Sequence, residues 1–238
     1  DIWCADHHGH VRRMKTAMKA LGIDSIRLNV VLMQLVKLMG DAKDENGNVI
    51  LDESGKPKKV EIRMSKRTGK AIALVDLLDE VPIDAARFFF NTREPNSHLI
   101  FDLDLAIQEN SENPVYYVQY AHARICSILR ALERENLTYN DGDTVNLALL
   151  TDPSEIELIR TLSYMPNEII AAGKNYDPSR ITKYSVSLAT AFHRFYTACR
   201  VMGEDSELSK ARLALCVASK HAIANCLKIM NITIPEKM

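Results

Sequence analysis

The chain has 238 residues, of which 47% are hydrophobic and 26% charged, with a formal net charge of −1. This balance is that of an ordinary globular protein, and the length suits one large or two modest domains. The near-neutral charge excludes a nucleic-acid binder that works through bulk charge, so any such site must be a local patch. No apolar run reaches the length of a membrane span and no signal peptide is recognisable, so we expect a cytoplasmic protein.

The five cysteines are an odd number and form no C-x-x-C pair, which predicts reduced thiols, mostly buried in helices. The chain opens with Asp1-Ile2-Trp3-Cys4-Ala5-Asp6, a pattern typical of a buried strand that reaches its end. No initiator methionine or leader precedes this strand, so we expect the sequence to be part of a longer protein.

The first part of the chain predicts an α/β unit. A strand over residues 2–5 is followed by a helix from Val11 to Leu21 and by a second apolar stretch over Ser25–Met39. Strand, helix and strand in this order indicate parallel strands. Asp6 then lies at the carboxyl end of a strand, where ligands bind in open parallel sheets.

Residues 41–60 predict a surface β-hairpin, since they carry the turn signals Asn46-Gly47 and Ser54-Gly55 on either side of an apolar run. Two short helices, Val75–Leu78 and Ile83–Asn91, follow further along the chain. A connector over residues 96–112 contains an extended piece at Phe101–Asp104.

From Asn113 onward the pattern becomes all-helical. Three helices are predicted to start alike, at Asn113-Pro114, Asp152-Pro153 and Asp177-Pro178, because Asn or Asp caps free N–H groups and proline suits the first helical position. A fourth helix is predicted from Ser206 to Met230. We expect the four to pack antiparallel, with few contacts to the front half. The second helix is expected to bury Ile156, Ile159, Leu162, Met165 and Ile169.

The stretch from Arg63 to Lys70, RMSKRTGK, is the most distinctive in the chain. Seven basic residues lie between Lys56 and Lys70, and only Glu61 opposes them. Its serine, threonine and glycine favour a loop, and lysine ammonium groups with nearby backbone N–H groups can bind polyphosphate. A solvated basic loop, or a run that resembles a nuclear-localisation signal, is the alternative.

The order Arg63-Met64-Ser65-Lys66-Arg67 resembles the Lys-Met-Ser-Lys-Ser loop of class I aminoacyl-tRNA synthetases. The longer run from Arg63 to Phe90 is similar to arginyl-tRNA synthetase in particular. The resemblance implies that Lys66 and Ser65 contact phosphate and stabilise charge on the leaving pyrophosphate. Arg63 replaces the family's first lysine, which keeps the charge but presents a planar fork.

Residues 4–9 resemble the Gly-Ala-Asp-His-His-Gly stretch of bacterial-type arginyl-tRNA synthetases, with Cys4 in place of the usual glycine. The resemblance implies that Asp6 faces the guanidinium of arginine and that Gln34 lies in the amino-acid pocket. An internal core hydrogen bond is the alternative for Gln34. The implied ATP contacts are His8, Gly9, Met64 and Lys66.

His7, His8 and His10 invite two other interpretations. Their spacing, with Cys4 and Asp6, matches no standard zinc pattern, so we expect no metal site. His7-His8-Gly9-His10 also satisfies H-x-G-H, the other class I motif. That motif should lie far upstream, whereas only 53 residues separate His10 from Arg63.

Three stretches, Val118–Arg124, His193–Tyr196 and Pro235–Met238, resemble the family's anticodon-binding bundle. Tyrosines near arginines can stack on unpaired bases, while half-buried helix packing is the alternative for each tyrosine. The implied anticodon contacts are Tyr196, Met238, Tyr120 and Arg200.

The resemblance covers nearly the whole chain. It implies the C-terminal part of a class I Rossmann-type catalytic domain at residues 1–95, a connector at 96–112 and an all-helical anticodon-binding domain of the DALR type at 113–238. The implied activity is that of an arginine–tRNA ligase. Such an enzyme would act as a monomer on arginine, ATP with Mg²⁺ and tRNA(Arg). Because the H-I-G-H motif is absent, we expect the 238-residue chain to be inactive alone. A non-catalytic tRNA-binding module and an ATP-binding enzyme of another chemistry are the alternatives.

Overall fold

The computed structural model of the protein describes residues 1–62, 74–135, 138, 144–201, 203 and 206–238. Four residues of the predicted catalytic and ATP-binding loop therefore lie outside the described part of the chain: Arg63, Met64, Ser65 and Lys66.

The first 34 residues form a small α/β unit. Strands β1 (Ile2–Cys4) and β2 (Val31–Met33) pair in parallel, and helix α1 (His8–Ala20) connects them. The predicted order of strand, helix and parallel strand is confirmed. No hydrophobic residue within residues 1–34, all of which the structure describes, is buried.

A second sheet has the order β4-β3-β5. Strand β3 (Val36–Asp41) pairs antiparallel with β4 (Lys59–Glu61) and in parallel with β5 (Leu99–Asp102). The predicted extended piece at Phe101–Asp104 is right only for its first half. Asp102 ends the strand because its side chain accepts a hydrogen bond from the Leu105 backbone N–H at 3.1 Å and caps a short helix.

The segment between β3 and β4 contains two tight turns rather than one. Antiparallel bridges join Lys43 to Val49 and Leu51 to Pro57, so the run between the two turns pairs on both sides. Asp44 and Asp52 each accept hydrogen bonds inside one turn. These bonds, led by that from the side chain of Asn48 for Asp44 and that from Ser54 for Asp52, lower the pKa of both carboxyls. The turn positions predicted at Asn46-Gly47 and Ser54-Gly55 are confirmed.

The remaining helices, in chain order, are α2 (Leu74–Glu80), α3 (Ile83–Phe90), α4 (Leu103–Ala106), α5 (Pro114–Arg134), α6 (Pro153–Ser163), α7 (Met165–Asn175), α8 (Ser179–Ala198) and α9 (Ser206–Ile229). The predicted architecture, an α/β part followed by an all-helical part, is confirmed. None of the described helices is both long and apolar enough to cross a membrane.

The predicted caps hold, and one predicted helix is divided. The side chains of Asn113, Asp152 and Asp177 each accept a hydrogen bond from the backbone N–H two residues further on. The second predicted helix is in fact α6 and α7, which meet at Tyr164. Pro166 lies in the first turn of α7, where its missing N–H is tolerated.

The burial predicted for that second helix is wrong at three of its five positions. Leu162 and Met165 pack partly buried against the core, but Ile156, Ile159 and Ile169 are exposed. Glu155 and Leu158 are buried instead. Glu155 can be buried because its carboxylate pairs with Nε of Arg212 at 2.6 Å and accepts the Asp152 N–H at 2.9 Å.

One hydrophobic core runs across both halves of the chain, from Leu38 in β3 to Ile232 near the C-terminus. Phe101 of β5 contacts the rings of two α3 residues at 5.4 and 5.2 Å, and α3 packs on α5. The Oγ1 of Thr182 in α8 also donates to the Asn91 carbonyl at 2.9 Å. The helical part therefore makes many contacts with the front half, contrary to expectation.

Candidate functional site

Tyrosines and one arginine meet where α5 and α8 run side by side. We call Tyr116, Tyr120, Arg124, His193 and Tyr196 the tyrosine–arginine cluster. The guanidinium carbon of Arg124 lies 4.8 Å from the ring centroid of Tyr196 and 6.0 Å from that of Tyr120. Its Nη1 also donates to the Tyr120 hydroxyl at 3.2 Å. Two predicted anticodon contacts, Tyr120 and Tyr196, are thus brought together by an arginine between them.

The spacing of residues 116, 120 and 124 places three members of the cluster on one face of α5. The rings of Tyr116 and Tyr120 are parallel within 5°, with centroids 6.4 Å apart. Tyr116 was not predicted as a site residue, although its spacing of four from Tyr120 was a usable signal.

The two central tyrosines differ in exposure. The side chain of Tyr120 is 37% exposed, whereas Tyr196 is half-buried and stacks on Phe192 at 6.0 Å. For Tyr196 the packing interpretation is therefore partly correct, because one side of the ring belongs to the core.

His193 lies behind the tyrosines. Its ring is 6.1 Å from Tyr120, and its Nε2 is buried with no hydrogen-bond partner among the described residues. Burial lowers the pKa of His193, and the positive charge of Arg124 lowers it further. The imidazole is therefore neutral near pH 7, and Arg124 carries the charge of this patch.

Of the other two predicted anticodon contacts, Arg200 lies apart from the tyrosine–arginine cluster and Met238 shares a cavity with one of its members. Helix α8 ends at Ala198, so Arg200 lies in the segment that follows the helix. Its side chain is exposed and its carbonyl accepts a hydrogen bond from Arg212 at 2.8 Å, but none of the described contacts joins it to the cluster. Met238 is 51% exposed and lines a cavity of about 370 Å³ together with Tyr116.

The residues predicted to bind arginine follow the ends of β1 and β2. In the register of this sheet Cys4 pairs with Met33, so Asp6 and Gln34 emerge from the same edge. Asp6 is exposed. Gln34 is half-buried and its Nε2 donates to Asn96 Oδ1 at 3.4 Å, a long hydrogen bond that an incoming polar ligand can replace.

The predicted ATP contacts His8 and Gly9 occupy the first turn of α1 and are exposed. No side chain caps this helix start, and an added Cβ at Gly9 would meet no atom within 4 Å. A 3-10 turn, Ala5–His7, leads directly into α1, and the His8 N–H already bonds to the Ala5 carbonyl. The accessible groups here are therefore the His8 ring and the backbone of Gly9, which a nucleotide can approach closely because glycine has no side chain. Cys4 has φ −62° and ψ 142°, a conformation open to any residue, so the departure from glycine causes no strain.

A cluster around Lys59 was not predicted. Its Nζ lies 2.7 Å from carboxylate oxygens of Asp41 and Asp102 and 3.6 Å from Asp104. Burial opposes the charge of Lys59, but the hydrogen bonds to Asp102 and Asp41 outweigh it and raise the pKa of Lys59. These pairs fix β4 against β3 and β5 just before Arg63. Among the described residues, no group of three histidine, cysteine, aspartate or glutamate side chains could hold a metal ion.

Comparison with known proteins covers the whole chain. It is 52% identical to an arginine–tRNA ligase of Caldanaerobacter subterraneus and 48% identical to one of Ruminiclostridium cellulolyticum, over all 238 residues in both cases. The match takes up 39% of each relative, so the chain spans about two fifths of their length.

Solved structures agree. A structure described as an arginyl-tRNA synthetase of Campylobacter jejuni is 30% identical with a TM-score of 0.76, and the match covers all of this chain and 47% of that one. The arginyl-tRNA synthetase of Thermus thermophilus shares the fold, with a TM-score of 0.74 at 19% identity, over all of this chain and 40% of that one. These matches confirm the resemblance seen in the sequence.

The family match falls on the helical part. Residues 118–238, which hold Tyr120, Arg124, His193 and Tyr196, match the DALR anticodon binding domain. The chain belongs to the DALR anticodon-binding domain family.

Proposed function

We propose that the chain is part of an arginine–tRNA ligase and that its tyrosine–arginine cluster binds unpaired bases of the anticodon loop of tRNA(Arg). The observation that carries this proposal is Arg124, held between the rings of Tyr120 and Tyr196 inside the segment that matches the DALR domain. Single-stranded RNA loops are bound by such surfaces, because every base can stack on an aromatic ring or a guanidinium plane.

The cluster suits this role because its parts are held in place before RNA arrives. Arg124 is restrained by two rings and by its hydrogen bond to the Tyr120 hydroxyl, and the Tyr196 ring is backed by Phe192. Little side-chain entropy is then lost when a base stacks. Arg200 would add a phosphate contact, which strengthens binding without reading sequence.

The front half would activate arginine. The Asp6 carboxylate pairs with the substrate guanidinium and Gln34 binds a polar group of the amino acid at the same sheet edge. His8 and Gly9 bind the adenosine at the N-terminus of α1, while Lys66 and Ser65 contact the phosphates. Met64 is a further ATP contact, and Arg63 adds its positive charge to the catalytic loop. Mg²⁺ would enter bound to ATP as part of the substrate and would help to neutralise the charge of the phosphates.

The proposed division of labour follows the domains predicted from the sequence. Residues 1–95 bind arginine and ATP, residues 96–112 connect, and residues 113–238 bind tRNA. The protein acts as a monomer in the cytoplasm. All five cysteines are free thiols and four of them are buried, which is compatible with a reducing compartment.

Binding of RNA tests the proposal directly. The 238-residue chain should bind a stem-loop with an arginine anticodon more tightly than the same stem with a changed anticodon, at one fixed salt concentration. A stem closed by a tetraloop is the matched control for phosphate binding alone. Equal affinity for all three RNAs would mean that the cluster does not read the anticodon.

A second experiment separates a ligase from a binding module. Arginine-dependent exchange between ATP and pyrophosphate should occur with the full-length protein that contains this chain, and should be absent with the 238-residue chain alone. A full-length protein that binds the RNA but shows no exchange would instead be the non-catalytic module.

A further inference from the structure

The last eight residues form a strap across the junction of α3 and α5. We call residues 231–238 the C-terminal strap. Helix α9 ends when Asn231 adopts a left-handed conformation, with φ 53°. The N–H of Ile232 then bonds to the Leu227 carbonyl at 2.9 Å and that of Asn231 to the Lys228 carbonyl at 3.0 Å. These two hydrogen bonds end the helix, and the chain then turns back over the bundle.

Side chains of α3 bind the start of the strap. Arg87 Nη1 donates to the Asn231 carbonyl at 2.7 Å, and the Asp84 carboxylate accepts the Thr233 N–H at 3.2 Å. Ile232 between them is buried in the core. The first residues of the strap are thus fixed by both packing and hydrogen bonds.

Side chains of α5 bind the rest of the strap. Gln119 donates to the Thr233 carbonyl at 3.0 Å, and Arg130 donates to the Glu236 carbonyl at 3.0 Å. The shortest of these bonds joins His122 Nδ1 to the Pro235 carbonyl at 2.8 Å. Proline has no N–H, so the carbonyl is the group through which this residue can be held by a hydrogen bond.

His122 is suited to hold the C-terminal strap in one position. Its side chain is 2% exposed and lies in the core between α5 and α9. A carbonyl oxygen can only accept, so the hydrogen of the neutral imidazole must be on Nδ1. Sγ of Cys126 lies beside the ring, 3.7 Å from Nδ1 and 4.0 Å from Nε2. Because this donor is buried and has one available N–H, it fixes the position of Pro235 along α5.

We infer that His122 is a positioning residue for RNA binding: it holds Pro235 so that Met238, three residues further on, is presented beside Tyr116 at the end of the tyrosine–arginine cluster. Met238 lines the same cavity as Tyr116 and Gln119. An apolar side chain on a fixed strap can extend a stacking surface, whereas one on a loose tail must first be ordered at an entropic cost. The inference rests on the proposed function, because it concerns the same RNA surface.

The test compares two replacements of His122 in the 238-residue chain. Asparagine places an amide N–H close to the position of Nδ1, whereas leucine fills a similar volume without a donor. His122→Leu should speed carboxypeptidase removal of residues 235–238 about three- to tenfold, the effect of losing one hydrogen bond. His122→Asn should restore a rate close to wild type.

RNA affinity supplies the second readout. His122→Leu should weaken binding of the arginine stem-loop by the same factor as deletion of Met238, and the two changes combined should weaken it no further. His122→Asn should bind like wild type. If His122→Leu and the Met238 deletion reduce affinity additively, His122 does not act through Met238. If carboxypeptidase removes the strap of His122→Leu no faster than that of the wild type, His122 does not hold the strap.

A variant outside the core keeps the test independent of folding. Arg130→Met removes the donor to Glu236 while it keeps the apolar stem, and it should loosen the strap and weaken RNA binding in the same way. Arg134→Met, one turn further along α5, is the control, because among the described residues Arg134 forms no hydrogen bond with the strap. Equal effects of the two variants would contradict the inference.

The outcomes also separate this inference from the proposed function. If Tyr196→Ala weakens RNA binding but deletion of Met238 does not, the RNA surface stands and the role of the strap is refuted. If neither change affects binding, the proposed RNA surface itself is wrong.

Discussion

Replacement of Tyr196 by alanine should weaken RNA binding and lower stability by amounts that can be told apart. Stacking of one base is worth about 1–3 kcal/mol, so affinity should fall roughly 5- to 150-fold. Tyr196 carries no charge, so this loss should be the same at low and high salt.

The stability cost follows from the half-buried position of the ring. An aromatic side chain that hides most of its surface removes roughly 120 Å² from water, worth about 3 kcal/mol. Loss of the contact with the Arg124 guanidinium, 4.8 Å from the ring centroid, is worth about 0.5–1 kcal/mol more at a partly exposed site. For a chain of this size, about 3.5–4 kcal/mol lowers Tm by roughly 7–16 °C.

The assay is a salt titration of stem-loop binding, run beside thermal unfolding. Tyr196→Phe is the matched control and should retain both affinity and Tm, since the described hydrogen bonds include none from the Tyr196 hydroxyl. Arg200→Ala should behave oppositely. It should leave Tm unchanged, because Arg200 is exposed, and reduce the salt slope by about 0.7 if it contacts one phosphate.

One result would refute the reasoning for Tyr196. If Tyr196→Ala lowers Tm as calculated but leaves the affinity for the stem-loop unchanged, the ring serves packing alone. The assignment of the RNA surface to this face of α5 and α8 would then lose its central residue.

Three further predictions concern stability. Arg212→Met should cost about 3–5 kcal/mol in denaturant unfolding, because it leaves the carboxylate of Glu155, 1% exposed, without its cation; a loss below about 1 kcal/mol would contradict this. Burial lowers the pKa of His122 below its usual 6.5, so the unfolded chain binds this proton more readily and stability should fall as pH drops below about 6.5. His122→Asn should flatten that dependence, and an unchanged slope would argue against a buried neutral imidazole. Gly40→Ala should cost about 1–3 kcal/mol in the same unfolding assay, since an added Cβ would clash with the Ile62 side chain; wild-type stability would show that Ile62 moves aside freely.

Local chemistry made much of the fold predictable. The Asn-Pro and Asp-Pro pairs identified three helix starts because capping is a contact between residues two positions apart. The two glycine turns before Lys59 were predictable for the same reason. The break between α6 and α7 was missed, although Pro166 inside a helical pattern is a local signal that a helix must start anew.

Contacts between distant residues were not predictable. No residue near Glu155 in the sequence indicates that it is buried, because its partner Arg212 lies 57 positions later. The Lys59 cluster and the bond from His122 to Pro235 are of the same kind. In the candidate site, resemblance supplied Tyr120 and Tyr196, but the place of Arg124 between them depends on how α5 and α8 pack.

The lack of buried hydrophobic side chains in residues 1–34 has a consequence for dynamics. Amide protection there must come from the short β1–β2 ladder, from the turns of α1 and from single tethers such as the bond from Gln34 N–H to the Pro95 carbonyl at 2.9 Å. In the isolated 238-residue chain these amides should exchange with solvent by local opening, well before those of the continuous core exchange. Asp6, His8 and Gly9 lie on this readily opened unit. Packing within residues 1–34 is therefore too sparse to fix the shape of the sheet edge proposed to bind arginine. Contacts from outside this unit must contribute more to that shape.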